Sequence, residues 1–301
     1  VRGGNDKTAV FWNDPYRCED KDGRELVFES RGKWREEWAL WSPKGSYVAT
    51  THGAGIQLWG GDNFELIGRF QHKGVRFVHF SPSEKYLITC NTRAGDPRGL
   101  LVWNIETGKA TAFDCGIKQT WPIFKWSHDD EYFCRVAKDK IQVFETKTMG
   151  LLGRQAIPLR GVEEVQFSPH GPLIASWAPG KGSKPTSMHI FEVPSKRVAR
   201  ERHFYKVVNL RMQWHPQGDF LCVQLLLQKS KKTRVSSLEL FRMRSKNIPT
   251  EVMQLPETIV DFKWEPRGCR FAMAYGMGDA PSKTDVNIYS LKTSKLKLLN
   301  T

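Results

Sequence analysis

No apolar run in this 301-residue chain reaches the roughly 18 residues that a membrane-spanning helix needs. Cysteine is sparse and scattered: Cys18, Cys90, Cys115, Cys134, Cys222 and Cys269 form no C-x-x-C pair and no metal-ligand spacing. That argues against a zinc module or a disulfide framework and reads as reduced, intracellular thiols, most of them core fillers. Helical periodicity is missing over any useful length, which excludes a mixed α/β enzyme whose strands alternate with helices. Carboxylates are outnumbered, 32 against 46 basic residues, giving a formal net charge of +14. An excess of that size favours polyanionic partners, either nucleic acid or an acidic membrane surface.

What the chain does have is a repeat. An aromatic, then Ser or a substitute, then Pro opens a unit at LWSPKGSYVAT (40–50), HFSPSEKYLIT (79–89), QFSPHGPLIAS (166–176), QWHPQGDFLCV (213–223) and KWEPRGCRFAM (263–273). Each is followed by a strand-like segment ending near an aromatic: GIQLW (55–59), LLVWN (100–104), SMHIFEV (187–193), LELFRM (238–243) and VNIYS (286–290). KWSHDDEYFCR and KIQVFET (140–146) form a sixth copy. The opening aromatics Trp41, Phe80, Trp126, Phe167, Trp214 and Trp264 are separated by 39, 46, 41, 47 and 50 residues. That period, with short alternating strands parted by Pro, Gly and Asp turns, predicts an all-β chain of WD-type β-propeller blades, each with four antiparallel strands a to d. The opening aromatic ends the innermost strand a, and the Pro-x-Gly segment turns the chain into strand b. The Trp-Asp dipeptide itself is absent: Trp59-Gly60, Trp103-Asn104 and Phe144-Glu145 occupy its slot. Six blades are expected complete. KTAVFWND (7–14) and RELVFES (24–30) read as strands c and d of a further blade without its inner strand, and KLKLLNT (295–301) reads as the last strand d. An unclosed ring leaves a sheet edge unpaired, so the expectation is one incomplete propeller domain over residues 1–301, part of a longer chain.

Apparent chemical motifs yield to this register. His128, Asp129 and Asp130 look like an acid–base or metal cluster, but they fall where other repeats carry Pro43-Lys44-Gly45 and Pro216-Gln217-Gly218, so they read as the a–b turn of one blade. APGKGSKPT (178–186) imitates a phosphate loop, yet GxxxxGK[ST] needs Gly at 175 and Ser or Thr at 182, where Ala175 and Gly182 stand. There is no GxSxG, HExxH or EF-hand loop. His79 and His189 fall within strands and read as hydrogen-bonded structural histidines. Glu36-Glu37 and Glu163-Glu164 are strand neighbours that point to opposite faces. The chain therefore reads as non-enzymatic, with no cofactor, no metal and no small-molecule substrate. The basic residues are more informative. Loops joining strand b to c, which share one face of a propeller, carry Arg93 and Arg98, Lys181 and Lys184, Lys229, Lys231, Lys232 and Arg234, and Lys283. These are the candidate RNA-contacting residues, flexible cations suited to phosphates. The opposite rim also carries cations, among them Lys196, Arg197, Lys292 and Lys295.

Several segments together are specific. WSPKGSYVAT, GIQLWGG (55–61), FSPSEKYLIT, WPIFKWSHDDEYFCR (121–135), TKTMGLLGR (146–154) and LFRMRSKNIP (240–249) resemble, in order, the propeller of the b-subunit family of eukaryotic translation initiation factor three. The resemblance implies a cytoplasmic, non-catalytic scaffold of translation initiation. It implies an RNA-recognition domain upstream, a ring of about nine blades, beyond the usual four to eight, and a helical tail that docks the i and g subunits. The implied partners are the small ribosomal subunit, through ribosomal RNA and proteins near the messenger entry side, and the other subunits of the factor. No membrane partner is implied. The rival reading is a general protein-interaction WD propeller with no ribosomal role, its charge incidental.

Overall fold

The computed structural model describes residues 38–93, 95–115, 120–231, 233–276, 284–292 and 297–300, together with the backbone of 2–4, 7–13 and 24–28. These residues are arranged as successive antiparallel sheets whose strands follow one another in chain order. A first, three-stranded sheet comprises β1 (Arg2–Gly4), β2 (Lys7–Asn13) and β3 (Arg24–Phe28). Blade 1 holds β4 (Ala39–Trp41), β5 (Tyr47–His52), β6 (Gly55–Gly60) and β7 (Glu65–Gln71), and blade 2 holds β8 (Phe77–Phe80), β9 (Tyr86–Cys90), β10 (Leu100–Asn104) and β11 (Ala110–Phe113). Blade 3 holds β12 (Lys125–Trp126), β13 (Tyr132–Ala137) and β14 (Lys140–Glu145), its outer position shared by β15 (Gly150–Leu151) and β16 (Ile157–Pro158). Blade 4 holds β17 (Glu164–Phe167), β18 (Leu173–Ala178), β19 (Thr186–Glu192) and β20 (Val198–Phe204). Blade 5 holds β21 (Val207–Trp214), β22 (Phe220–Gln228), β23 (Arg234–Arg242) and β24 (Thr250–Leu255). Blade 6 holds β25 (Thr258–Trp264), β26 (Arg270–Gly276), β27 (Asp285–Ser290) and β28 (Lys297–Asn300).

The six WD-type blades stand where the repeat places them. Trp41, Phe80, Trp126, Phe167, Trp214 and Trp264 each end the inner strand of their blade. Two features depart from the sequence reading. The first sheet has three strands instead of two, because Arg2–Gly4 pairs with β2, and Gly-Gly carries no strand signal. In blade 3 a short 3-10 turn, Leu152–Arg154, interrupts the outer strand, with Gly153 at φ 56° and Arg154 at φ 58° breaking the pleat. Among the described residues, no helix is long and apolar enough to cross a membrane.

The a–b turn is built alike in all six blades. The backbone N–H of its first residue donates to the carbonyl five residues on: Ser42 to Tyr47, Ser81 to Tyr86, Ser127 to Tyr132, Ser168 to Leu173, His215 to Phe220 and Glu265 to Arg270, at 2.8–3.0 Å. The fourth position is left-handed throughout, occupied by Gly45, Glu84, Asp130, Gly171, Gly218 and Gly268. The first side chain completes the turn in four blades: Ser42, Ser81 and Ser127 hydroxyls and the Glu265 carboxylate each accept the N–H of the residue five on. Turns of neighbouring blades touch. The Glu84 carboxylate accepts the Lys44 N–H at 2.6 Å, and a Cβ on Gly218 would stand 2.9 Å from the His170 carbonyl and the Ser168 hydroxyl.

The chain divides into two compact units, Val1–Ile123 and Phe124–Thr301. Within each, packing follows one plan: side chains from adjacent sheets interleave, and the middle strands are covered on both faces. Ile56, Leu58 and Phe70 of blade 1 meet Val78, Phe80 and Leu101 of blade 2. In the second unit, Ile141 and Val143 meet Phe167 and Phe191 across blades 3 and 4. Ile190 and Phe204 meet Met212 and Phe241 across blades 4 and 5, and Leu238 and Leu240 meet Phe262 and Phe271 across blades 5 and 6. Blades 4 and 5 are also joined by a bidentate ion pair: Arg202 on β20 donates to both oxygens of Glu239 on β23 at 3.1–3.2 Å. Burial raises the Glu239 carboxyl above its ordinary range, against the pull of Arg202.

These contacts set the cost of altering them. Gly45→Ala meets nothing within 4 Å and should cost only its left-handed strain, about 1 kcal/mol. Gly218→Ala adds a clash with the blade 4 turn and should cost roughly 3 kcal/mol, both read by urea denaturation. Arg202→Met, which strands the Glu239 carboxylate with a 7% exposed side chain, should cost about 2 kcal/mol, less than a fully buried pair because Arg202 itself is partly solvated. Adding Glu239→Leu should restore most of that loss.

Candidate nucleic-acid interface

Of the cations singled out in the sequence, Arg93, Arg98, Lys181, Lys184, Lys229 and Lys231 lie between the second and third strands of their blades, and Arg234 opens β23. In blade 2 the connection between β9 and β10 carries exposed Arg93 and Arg98. It is held by Asn91, whose amide N–H donates to the Gly99 carbonyl at 3.0 Å and whose side chain donates to Asp96 at 2.7 Å. Asp96 also accepts the Arg98 N–H at 2.8 Å. These bonds, the one from Asn91 first, hold the Asp96 carboxyl below the usual carboxylate range. The loop thus spends its one carboxylate on its own turn and leaves two guanidinium groups outward.

Beneath this loop lies a buried polar chain that the sequence reading missed. His72 Nδ1 lies 2.6 Å from the Thr89 hydroxyl, and Trp103 Nε1 donates to the same oxygen at 2.9 Å. Blade 1 repeats the second bond, Trp59 Nε1 donating to Thr50 at 2.9 Å, with His52 Nε2 3.0 Å from that hydroxyl. The signal was available: a His before strand a and a Trp ending strand c are the two ends of a WD unit. Burial lowers the His72 pKa, opposed by Asp96 and assisted by the charges of Arg98 and Arg93.

In blade 4 the connection between β18 and β19 carries exposed Lys181 and Lys184, turned by the Lys184 N–H on the Lys181 carbonyl. In blade 5, β22 and β23 are nine residues each and pair to their ends, Gln228 opposite Arg234. The long hairpin carries exposed Lys229, Lys231 and Arg234. Its tip is fastened by the Lys229 N–H to the Thr233 carbonyl at 2.9 Å and the Thr233 N–H to the Ser230 hydroxyl at 3.1 Å. Arg234 Nε donates to Gln228 at 3.4 Å, so its reach is shorter than that of the lysines. Lys232 and Lys283 lie outside the described residues, as does Lys295 of the opposite rim. Blades 4 and 5 adjoin in one orientation, so the Lys181/Lys184 and Lys229/Lys231/Arg234 loops share an edge of their unit.

The cations of the opposite rim are employed differently. Lys196 Nζ reaches across from blade 4 to the Leu152 and Gln155 carbonyls of blade 3, and burial lowers its pKa. Arg197 is bound by Glu192 through two nitrogens at 2.8 and 3.1 Å. Lys196 thus ties two blades together, whereas the paired Arg197 side chain remains 74% exposed and Lys292 is exposed as well.

His128-Asp129-Asp130 is the turn that register assigned it to. Asp129 accepts the Ser127 hydroxyl at 2.6 Å and the Glu131 N–H at 3.0 Å. Burial works to raise the Asp129 carboxyl, but those bonds outweigh it and hold it low. Asp130 takes the left-handed position at φ 61°. Glu164 accepts from Trp177 Nε1 and the Gln166 side chain while Glu163 faces solvent, so the pair is split across the strand. His189 is half-buried with Nε2 3.0 Å from Glu201. Cys90, Cys115, Cys134, Cys222 and Cys269 form no disulfide, Cys90 Sγ lies 3.3 Å from Cys115 Sγ, and burial pushes the Cys134 and Cys222 thiols up.

Because the folded His72 sits below its ordinary 6.5, its contribution to stability is complete above that value and is lost as pH falls through the folded pKa. The thermal midpoint should therefore drop between about pH 7.5 and about pH 5.5, and His72→Gln should make that drop shallower.

Residues 202–301 match the family model described as eukaryotic translation initiation factor eIF2A. Over the longer span, the chain is 36% identical across 300 residues to the B subunit of eukaryotic translation initiation factor 3 from Xenopus laevis, covering 98% of this chain and 42% of the relative. It is 34% identical across 323 residues to the counterpart from Arabidopsis thaliana, covering 98% and 44%. The chain thus spans less than half the length of these curated relatives. Among solved structures, a crystal structure of a eukaryotic initiation factor superposes with a TM-score of 0.70 at 17% identity, over 98% of this chain and 74% of that one. At that identity it speaks for the fold alone.

Proposed function

The chain is homologous, over nearly all its length, to part of the B subunit of eukaryotic translation initiation factor 3, and on that premise we propose that it is a non-catalytic scaffold that holds an initiation factor complex on the small ribosomal subunit. Its partners on this reading are ribosomal RNA, ribosomal proteins and the other subunits of the complex, met in the cytoplasm. It serves as the propeller portion of a longer subunit, with an RNA-recognition domain before it and further blades and a helical tail after it. The observation that carries the reading is the 36% identity over 98% of the chain. The b–c loops support a more specific role. Arg93 and Arg98 in one unit, and Lys181, Lys184, Lys229, Lys231 and Arg234 in the other, are exposed on short hydrogen-bonded turns, and Lys232 and Lys283 continue the same loops in sequence. Cations on such turns neutralise phosphates without reading sequence.

Salt titration of binding to purified small ribosomal subunits tests this. Affinity should fall steeply with salt. Joint charge reversal of Lys229, Lys231 and Arg234 should weaken it by about tenfold or more and flatten the log–log salt slope by roughly two to three units. Binding that ignores ionic strength and survives the reversal would leave a protein-only scaffold.

A further inference from the structure

Trp121 lies in the connection from β11 to β12, and neither the turns nor the basic loops employ it. Its ring stacks on Phe77, the first residue of β8, with centroids 5.2 Å apart and planes 25° from parallel. His79 meets the same indole edge-on at 6.5 Å and 84°. Strand alternation accounts for the grouping. Val78 and Phe80 point into the core shared with blade 1, which turns Phe77 and His79 to the other face of β8. There Phe77 remains 41% exposed. With Phe77 exposed and Trp121 only partly covered, the stack is less enclosed than aromatic pairs in a core ordinarily are.

The chemistry around the rings is cationic. Phe77 pairs with Cys90, the last residue of β9, so the aromatic pair sits at the edge from which the Arg93/Arg98 loop springs. The Arg76 N–H donates to the Cys90 carbonyl at 2.8 Å, and the Arg93 guanidinium lies against Gly74, 3.2 Å from where a Cβ would stand. Lys73, Arg76, Arg93 and Arg98 are all exposed at this edge. They face two carboxylates, Asp96 and Asp114, and Asp96 is already bound by Asn91 and the Arg98 N–H. Four cations against two carboxylates leave a local charge of +2.

An open aromatic stack rimmed by arginine and lysine is the arrangement that receives an unpaired base and its flanking phosphates. A duplex keeps its base faces inside the helix and has none to offer. We propose that Phe77 and Trp121 form a stacking platform for single-stranded RNA, with Lys73, Arg76, Arg93 and Arg98 meeting the adjacent phosphates. The proposal rests on the reading of the b–c loops as an RNA-facing surface and names the form of RNA that this part of it takes.

The test is fluorescence anisotropy of the full chain with a labelled single-stranded oligouridine of about 12 nucleotides and with an RNA duplex of equal length. Phe77→Leu and Trp121→Leu should each weaken single-strand binding by about tenfold and leave duplex binding within about twofold. Trp121→Phe should keep the affinity but lose most of the tryptophan quenching that oligouridine produces in the parent chain. That readout decides the matter if a leucine variant unfolds, because the aromatic replacement keeps the packing. Unchanged single-strand affinity in leucine variants with the parent's thermal midpoint overturns the platform, as does an equal loss on duplex. Absence of single-strand affinity in the parent also overturns it and assigns the exposed pair to a protein partner. Charge reversal at Lys229, Lys231 and Arg234 separates the two readings. If it leaves ribosome binding intact while the aromatic variants still lose oligouridine, the blade 5 loop reading fails and the platform stands.

Discussion

A four-stranded sheet with apolar side chains on both faces cannot bury them by itself, and every other feature of this chain answers to that constraint. Each apolar cluster that joins blades is drawn from two neighbouring sheets: Phe70 with Phe80, Val143 with Phe167, Phe204 with Phe241, Leu240 with Phe271. The sheet is therefore the unit of repetition and the space between sheets is the unit of stability. Because middle strands are covered twice, they are continuous apolar runs such as Leu100–Trp103. Outer strands such as β11 alternate between half-buried and exposed. Chemistry is left only the strand connections to work with.

The two sets of connections divide the labour. The a–b turns are short, built to one hydrogen-bond pattern and, within each unit, in contact between neighbouring blades. Their polar groups serve the turns: Ser127, Asp129 and His215 their own, and Glu84 the turn of the blade before. The b–c loops vary in length and need only a few bonds to close, as Asn91 and Ser230 do. They have room to carry charge outward. A scaffold that grips a polyanion needs this separation, since cations committed to holding strands, as Lys196 is, are not available to a phosphate.

Most of the fold was legible because register propagates. Once Trp41, Phe80, Trp126, Phe167, Trp214 and Trp264 are read as ends of inner strands, period-two alternation places the rest. The same register converts His128-Asp129-Asp130 from an apparent cluster of acid–base groups into a turn. What escaped had no local signal. Strand β1 is Arg-Gly-Gly, which pairs because β2 offers an edge. The broken outer strand of blade 3 depends on left-handed residues at Gly153 and Arg154, and the second of these no propensity anticipates. The basic loops were visible in composition. The Phe77–Trp121 stack was not, because the two residues are 44 positions apart in sequence and meet only in the folded chain.

Glu84 carries a consequence of a different kind. It occupies the left-handed turn position that glycine fills in four of the six blades, and its carboxylate caps the neighbouring turn at Lys44. Glycine at 84 would relax its own backbone and orphan an amide in the blade before it. The turns of blades 1 and 2 are thus coupled: a change at position 84 is felt at the backbone of position 44, so the tolerance of one turn cannot be judged from its own residues alone.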